Sequence, residues 1–453
     1  MINLYQESDY QRAVHEPRQK EHFTPFRRDY ARVIHSASFR RLQGKTQIFP
    51  CLESEFFRNR LTHSLEVAQV AKSIALSLNG RFNLNIDTDL VETAALCHDI
   101  GHPPFGHNGE KILHQKMFEF GGFEGNAQTL RLLSKMEKKR FEGQGPIHSG
   151  KDNRFGLNLT YRSLASILKY DHLIPGYVVN RVSGPIKGYY ATESALVEKI
   201  KSHVLSGIEP KHYQGKPFKT IECQIMDLAD DIAYSTYDIE DAFKGEFLDP
   251  LSMIGADERL LQKVQQQAEK NNLLLSIKEI QNIIRSIFDG IIDFNDTQAQ
   301  IYQRSKQLAN SSYLRTKFTS NLVHYCISNI AFSLDENCPL LSKIYLPESV
   351  KKQVEILKLF VYFAVISAPK MNIVRYRGRE IISTLFDILI KSTPSTSLLP
   401  EDVGEIFYAY DVNDHANRAR TISDFIASMT DRYAIELYSR FKSDTPQSIF
   451  KPV

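Results

Sequence analysis

Apolar side chains recur every three or four positions from residue 61 to 79, as they do along one face of an α-helix. The residues on this face are Leu61, Leu65, Ala68, Ala71, Ile74, Ala75 and Leu78. His63 lies near the start of the same segment, beside the apolar face. A second apolar segment predicts a helix over 88–99, which ends in His98 and Asp99. The pattern therefore places polar side chains at the ends of two apolar helices.

The same periodicity continues through most of the chain. It predicts further helices in GNAQTLRLLSKM, in LTYRSLASILKY and in the run that contains Asp230, and amphipathic segments alternate with polar turns from about residue 255 onward. Few segments alternate as strands do, and no internal repeat is apparent. An irregular stretch over 172–192, which contains several glycines and prolines, is typical of an active-site wall. The sequence thus predicts a predominantly α-helical protein.

Length and composition indicate a globular protein with more than one region. At 453 residues the chain exceeds what one hydrophobic core usually fills, so we expect a region over 1–250 with an N-terminal arm and a helical region over 251–453. A hydrophobic fraction of 42% and a charged fraction of 24% exclude a disordered or fibrous class. The net charge of +3 is too small to indicate nucleic acid by itself, although it is compatible with a phosphate-bearing substrate.

Cysteine usage and the apolar stretches bear on the cellular compartment. The five cysteines are scattered along the chain, which argues against a disulfide framework and favours a reduced cytoplasmic setting. The N-terminus is too polar for a signal peptide, and the most apolar stretch, near LKLFVYFAVISA, is too short to span a bilayer. We therefore expect a soluble, cytoplasmic protein without membrane contact.

The stretch ETAALCHDIGHPPFGHNGE, over 92–110, concentrates side chains that ligate metals or move protons. His98 and Asp99 are adjacent at the end of a helix, and the glycines and prolines that follow forbid its continuation while letting the backbone approach a ligand closely. The loop adds His102, His107 and Glu110. A lone histidine is usually a core or surface residue, and we expect His114 and His148 to lie at the surface, but the clustering here predicts a site.

Two further segments supply ligands for a divalent cation. His63 is a candidate third ligand beside the pair His98 and Asp99. Downstream, one predicted helix carries Asp227, Asp230, Asp231, Asp238 and Asp241. Asp230, Tyr234 and Asp238 follow one another at four-residue intervals and so share a helix face, while other members of the cluster form a solvated face. His63, His98, Asp99 and Asp230 give two nitrogens and two oxygens, with positions left for water and substrate; Asp231 and Asp227 are the alternatives for the fourth ligand.

These residues resemble a known signature. The order His63, His98-Asp99 and Asp230 resembles that of the HD-superfamily phosphohydrolases. The surrounding sequence segments are more specific, because they are similar to segments of the dGTPase-like deoxynucleoside triphosphate triphosphohydrolases. These segments are SFRRLQGKTQIF, NRLTHSLEV, HDIGHPPFGHNGE, FEGNAQTLR, LNLTYRSLASILKY, ADDIAYSTYDIEDA and FIASMTDRYA. The similarity runs from about Arg27 to Ala434 and is weakest over 250–365.

The resemblance implies an all-α fold, in which an HD-domain core over 1–250 is joined by additional helices over 251–453 that complete the active site and form oligomer contacts. It implies hydrolysis of deoxynucleoside triphosphates (dGTP or dNTPs in general) to a deoxynucleoside and tripolyphosphate, with a divalent metal, Mn²⁺ or Mg²⁺, as cofactor. It also implies a homo-oligomer, a hexamer by analogy, and a nucleotide effector or single-stranded DNA as further partners.

The resemblance also assigns roles to individual residues. The metal ligands are His63, His98, Asp99 and Asp230. The catalytic pair is His107 and Glu110, and His102 contacts phosphate beside it. The substrate-binding residues are Arg60 for phosphate, Gln43 and Asp238 for the sugar 3′-hydroxyl, and Tyr234 under C2′ of the sugar, where a ribose hydroxyl would clash. At Gly125 some relatives carry a histidine instead, so here His107 and Glu110 have to act without it.

Two other functions stay open at this point. One is an HD enzyme that acts on another phosphate ester, such as a nucleoside monophosphate or an alarmone. The other is a metal-assembled helical scaffold that binds nucleotides or single-stranded DNA through its basic N-terminal segment without turnover. The pair His107 and Glu110, together with Tyr234, favours the enzyme, because a binding protein has no need of a proton shuttle beside a metal.

Overall fold

The structure, a computed structural model, describes residues 2, 4–16, 23–47, 57–176, 184–293, 295–366 and 369–442. Helices account for most of this part of the chain, and its strands form two short antiparallel hairpins. The predicted all-α class, with a helical C-terminal region, is therefore confirmed. Within the same residues, no helix combines the length and the apolar character that crossing a membrane requires.

The first half of the chain builds the helices around the motifs found in the sequence. Their bounds are α1 Pro25–Ile34, α2 Ala37–Arg41, α3 Arg60–Phe82, α4 Thr88–Cys97, α5 Gly106–Lys116, α6 Gly125–Arg131, α7 Tyr161–Ser166, α8 Ser194–Val204 and α9 Ile221–Lys244. Short 3₁₀ turns cover Glu7–Tyr10, Leu42–Gly44, Phe118–Phe120, Ala191–Glu193 and Pro210–His212, and a π turn covers Leu132–Met136. Strands β1 Ile147–His148 and β2 Lys151–Asp152 pair with each other.

The second half continues in the same manner. Its helices are α10 Pro250–Ile254, α11 Glu258–Lys270, α12 Ile277–Ile287, α13 Gln298–Asn310, α14 Ser312–Ser328, α15 Glu348–Val361, α16 Pro369–Leu389, α17 Glu401–Ala409, α18 His415–Ser428 and α19 Asp431–Lys442. A 3₁₀ turn covers Pro339–Leu341, a π turn covers Tyr362–Ile366, and β3 Ala331–Ser333 pairs with β4 Lys343–Tyr345. The predicted boundary between 250 and 251 falls at the start of α10 and stays a prediction.

Helices α3, α4 and α9 pack together and form the centre of the first core. The predicted apolar face of α3 is partly rotated, because Leu65 is exposed while Val67 and Val70 are buried. The side chains of Asn59, Asp87 and Thr220 cap the first turns of the three helices, accepting backbone N–H groups that would otherwise lack partners. Capped and packed in this way, the three helices form the support for the side chains described below.

Helix α5 belongs to a different core, which it shares with the C-terminal region. Ile112 and Leu113 of α5 pack in one cluster with residues of α16, α18 and α19, among them Ile382 and Ile426. The segment that follows His98-Asp99 in the sequence is thus supported by helices from more than 250 residues further along the chain. The C-terminal region therefore contributes directly to the position of α5.

Candidate functional site

The start of α3 presents Arg60 and His63 to a buried space. Asn59 and Thr62 form a capping box, in which each side chain accepts the backbone N–H of the other residue, and this fixes the first helical turn. The side chains of Arg60 and His63, one turn apart, are both buried. The predicted ligand His63 therefore lies in the interior on a rigid element.

The end of α4 presents the pair His98 and Asp99. Nδ1 of His98 lies 2.6 Å from the carbonyl oxygen of Ala95. Since a carbonyl only accepts, Nδ1 carries the proton and a neutral imidazole keeps its lone pair on Nε2. In the next turn, a Cβ on Gly101 would lie 2.2 Å from the carbonyl oxygen of Gly125, so only glycine fits this close approach.

Helix α9 brings Asp230 to the same place. Oδ1 of Asp230 lies 3.3 Å from Nε2 of His63 and 3.5 Å from Nε2 of His98, and Oδ1 of Asp99 lies 3.6 Å from Nε2 of His98. The ligand atoms of His63, His98 and Asp99 lie within 4.8 Å of one another. The four residues predicted as metal ligands thus converge on one point.

Three neighbouring carboxylates of α9 form ion pairs with cationic side chains. Asp227 pairs with Lys169 and Lys219, and Asp231 pairs with Lys358 at 2.7 Å. Asp241 pairs with Arg58. Asp230 also lies 3.6 Å from Lys169, but among the three candidates for the fourth ligand it is the one that contacts His63 and His98 in the described part of the chain, and the structure thus favours Asp230.

The convergent donors fit a divalent cation. Nε2 of His98 is buried without a hydrogen-bond partner among the described residues, and its lone pair faces oxygens of Asp99 and Asp230. A lone pair opposed by two carboxylates is repulsive unless a cation lies between them, so two nitrogens and two oxygens here suit a metal ion.

Arg60 and His102 flank Asp99 on its other side. The guanidinium of Arg60 pairs with Oδ2 of Asp99, and Nδ1 of His102 lies 3.0 Å from Oδ1. Burial raises the pKa of Asp99, but Arg60 and the neighbouring histidines hold it well below its usual range. Burial together with Arg60 lowers the pKa of His102 to about 4, so its imidazole is neutral at physiological pH.

His107 and Glu110 form a hydrogen-bonded pair at the start of α5. Nδ1 of His107 lies 3.0 Å from Oε2 of Glu110, whose Oε1 accepts the backbone N–H of Gly125 at 2.9 Å. Burial raises the pKa of Glu110, but the hydrogen bond from His107 and the positive charge of Lys187 outweigh it and keep the carboxyl ionised. The side chain of His107 is 70% exposed, so an imidazole held by a buried carboxylate faces open space.

A cavity of about 650 Å³ joins these groups. It is lined by Arg60, His63, His98, Asp99, His102, His107 and Asp230, by the cationic side chains of Lys111, Lys169, Lys187, Lys358 and Arg375, and by the aromatic side chains of Phe105, Tyr170, Tyr234 and Tyr362. Tyr234, predicted beneath the sugar, thus lies one helical turn from Asp230 on the cavity wall. Cationic groups outnumber carboxylates in this lining, so the cavity suits an anionic ligand.

Two predicted sugar contacts lie elsewhere than expected. Gln43 is exposed in a 3₁₀ turn and does not line the cavity, so the assignment of this residue to the sugar does not fit the structure. Lys45 is extended after the turn, and Gln47 reaches the cavity instead, where its Oε1 is buried without a hydrogen-bond partner among the described residues. Asp238 is buried beneath the lining rather than in it, and burial raises the pKa of its carboxyl well above the usual range.

Several lining residues were missed in the sequence, and one histidine was misplaced. Lys169 and Tyr170 were predicted within a helix, but α7 ends at Ser166 and leaves both in the loop that follows. Lys187 lies in the predicted irregular stretch, whose residues 177–183 are outside the described part. His114, predicted at the surface, is buried and accepts the backbone N–H of Phe123, whereas His148 is exposed as predicted.

Comparison with known proteins places the same residues in a family. Residues 60–235 match the family model described as the HD domain, and residues 344–440 match the phosphohydrolase-associated domain. The deoxyguanosinetriphosphate triphosphohydrolase-like protein 2 of Mesorhizobium japonicum is 45% identical over 94% of this chain and 95% of its own. Deoxyguanosinetriphosphate triphosphohydrolase-like proteins of Pasteurella multocida and Shewanella pealeana are each 32% identical, over 94% and 95% of this chain and 96% and 95% of theirs.

Proposed function

Because the chain belongs to the family of deoxyguanosinetriphosphate triphosphohydrolase-like proteins, which are HD-domain phosphohydrolases, we propose that it hydrolyses deoxynucleoside triphosphates to a deoxynucleoside and tripolyphosphate. One observation carries the proposal. The cavity that holds the metal-ligating cluster also holds cationic side chains on its walls and Tyr234 one turn from Asp230. In a deoxynucleoside triphosphate bound here, the triphosphate would meet the metal-ligating cluster and the cationic side chains, and the deoxyribose would meet Tyr234.

His63, His98, Asp99 and Asp230 would hold the metal, Mn²⁺ or Mg²⁺ in this proposal, which would supply polarisation of a phosphate oxygen and compensation of the charge that develops on phosphorus. Arg60 stands beside Asp99, where its guanidinium fork can bind oxygens of the α-phosphate. The lysines of the lining bind the rest of the triphosphate and compensate its negative charge.

His107 moves the proton. Its Nδ1 is held by Glu110, which fixes the tautomer and leaves Nε2 for the cavity. His102 lines the cavity beside Asp99, with its Nδ1 3.0 Å from Oδ1 of that residue, and the proposal places it against the phosphates. His107 is the group that the proposal uses for proton transfer.

The bonds and protons balance in one displacement. A water oxygen forms a bond to the α-phosphorus while the bond between that phosphorus and the 5′-oxygen breaks, in line. The attacking water loses one proton and the 5′-oxygen of the departing deoxynucleoside gains one; His107 transfers one of these two protons, and solvent exchanges the other. The three phosphates leave together as tripolyphosphate.

Product analysis tests the proposal. The protein is incubated with Mn²⁺ or Mg²⁺ and each dNTP in ¹⁸O-labelled water, and the products are followed by phosphorus NMR and mass spectrometry. We expect tripolyphosphate that carries the label and a deoxynucleoside that does not. Pyrophosphate or orthophosphate as the first product, or label in the 5′-hydroxyl, contradicts the proposal. Asp230→Ala is the matched inactive control.

The same assay separates the two alternative functions. An HD enzyme for another phosphate ester would leave dNTPs intact and turn over a nucleoside monophosphate or an alarmone. A scaffold would bind nucleotide or single-stranded DNA without releasing any product. The proposed homo-oligomer is measured by light scattering, and the proposed nucleotide or DNA effector by the change in dNTP turnover that it causes.

A further inference from the structure

Asp431, the first residue of α19, accepts hydrogen bonds from two different segments of the cavity wall. Its Oδ1 accepts the backbone N–H of Phe105 at 3.0 Å. Its Oδ2 accepts the backbone N–H of Thr46 at 3.0 Å and also the hydroxyl of Thr46. Phe105 and Thr46 both line the cavity, and Asp431 is 2% exposed. One buried carboxylate thus joins the C-terminal region to two segments of the candidate active site.

The contact with Phe105 lies where α5 needs support. Phe105 precedes the first residue of α5 and has a φ of 61°, a left-handed conformation that non-glycine residues rarely adopt. Its own side chain makes no capping hydrogen bond. A strained residue keeps its conformation only where its surroundings impose it, and the hydrogen bond from Phe105 to Asp431 is such a constraint. His107 follows two residues later, so the direction of its imidazole depends on this turn.

The side chain of Asp431 is not needed to begin its own helix. Oγ1 of Thr430 accepts the backbone N–H of Tyr433 and so caps α19. Within the described residues, the carboxylate of Asp431 instead accepts its hydrogen bonds from Thr46 and Phe105, which lie in two other segments. The geometry therefore favours a role in the site over a role in the start of α19.

We propose that Asp431 is a positioning residue for His107, which it acts on by fixing the turn at Phe105, and that it sets the distance between this turn and the wall formed by Thr46 and Gln47. The inference rests on the proposed function for the role of His107. It concerns none of the metal ligands. Loss of Asp431 should consequently lower the rate of the chemical step and spare metal binding.

The test compares Asp431→Ala and Asp431→Asn with two controls in the intact protein. Leu437→Ala removes a buried side chain of the same helix and controls for lost stability, and Thr430→Ala removes the cap of α19. For each protein we measure metal content, kcat and KM for dGTP, and amide hydrogen exchange over 103–112 without nucleotide.

Asp431→Ala should keep its metal and lose about tenfold to a hundredfold in kcat with little change in KM, because a small misplacement of a reacting group has effects of this size. Exchange at the start of α5 should be faster. Asp431→Asn, which retains one carbonyl oxygen as acceptor, should recover part of the lost kcat and part of the lost protection from exchange. Leu437→Ala should lower the melting temperature without these changes.

Wild-type kcat in folded Asp431→Ala, or unchanged exchange at the start of α5, would overturn the inference. A loss of kcat in Leu437→Ala equal to that in Asp431→Ala would also overturn it, since lost stability would then explain the effect. Exchange is measured without nucleotide and does not depend on the substrate. Failure of the wild-type protein to hydrolyse dNTPs would thus contradict the proposed function, while the exchange data would still decide the role of Asp431.

Discussion

Nε2 of His98 lies 3.5 Å from Oδ1 of Asp230, with the proton of the His98 ring engaged on the opposite side by the carbonyl of Ala95. An imidazole lone pair and a carboxylate oxygen held this way repel each other unless a cation stands between them. The end of α4 and the middle of α9 are thus arranged for a metal ion.

Replacement of Asp230 tests the metal site. Asp230→Ala removes an oxygen ligand and should lower both metal content and turnover severely, because the remaining donors cannot complete the set. Asp231→Ala, a neighbouring carboxylate paired with Lys358, should retain the metal. Metal content is measured by mass spectrometry on purified protein. If Asp230→Ala kept its full metal content and Asp231→Ala lost its metal, Asp231 and not Asp230 would be the fourth ligand.

Proton transfer is tested separately at His107. His107→Ala should keep its metal and its fold, while kcat falls by roughly 10² or more, the scale for a missing general acid or base. His148→Ala, an exposed histidine outside the cavity, is the control and should behave as wild type. If His107→Ala lost its metal, His107 would be a ligand and not a proton shuttle.

The choice between deoxyribose and ribose is expected to depend on Tyr234. Tyr234→Ala should admit GTP, because the ring that would clash with a 2′-hydroxyl is gone. Tyr237→Ala is the matched control: it lies on the same helix, stacks on Arg58 and does not line the cavity. The measurement is kcat/KM for dGTP and for GTP. An unchanged preference for dGTP in folded Tyr234→Ala would mean that Tyr234 is a packing residue.

Gln47, and not Gln43, should contact the sugar. Oε1 of Gln47 is buried without a partner among the described residues, so a ligand hydroxyl can supply the missing hydrogen bond. Gln47→Ala should raise KM for dGTP by about threefold to tenfold, the value of a hydrogen bond of about 1 kcal/mol, and leave KM for 2′,3′-dideoxy-GTP unchanged. Gln43→Ala should alter neither. Equal effects of Gln47→Ala on both nucleotides would refute a contact with the 3′-hydroxyl.

The buried pair Arg162 and Glu222 should make stability depend on pH. Both side chains are fully buried and lie 3.0 Å apart, with Arg162 on α7 and Glu222 at the start of α9. Burial raises the pKa of Glu222, but Arg162 outweighs it and lowers the pKa below 4.5, the usual value. The unfolded chain therefore takes up a proton first as the pH falls, and the stabilisation present above pH 4.5 is lost below it.

Glu222→Gln should accordingly lower the free energy of unfolding by about 3–5 kcal/mol at pH 7, because Arg162 is left buried without its counter-charge. The difference from wild type should shrink below pH 4.5. Urea titrations at several pH values provide the measurement, with the exposed Glu336→Gln as control. A difference that stayed constant down to pH 3.5 would show that the charge of Glu222 does not contribute.

The local parts of this protein could be predicted from the sequence. The all-α class follows from a periodicity that each helix carries within itself, and it is confirmed. The adjacency of His98 and Asp99 at a helix end, and the spacing of His107 and Glu110 on α5, are properties of short segments. Family membership follows from short contiguous sequence segments and is confirmed by the relatives. The individual roles of these residues stay predictions.

Only the tertiary structure decided which distant groups meet. The sequence named Asp230 as the fourth ligand with Asp231 and Asp227 as alternatives, and the packing of α9 against α3 and α4 is what brings Asp230 beside His63 and His98. The error at Gln43 has a similar cause, since the turn before Lys45 redirects the chain toward the cavity at Gln47. Periodicity reports which face of one helix is buried, but it holds no information about the partner on that face; the meeting of Asp431 with Phe105 therefore depends on how α19 packs.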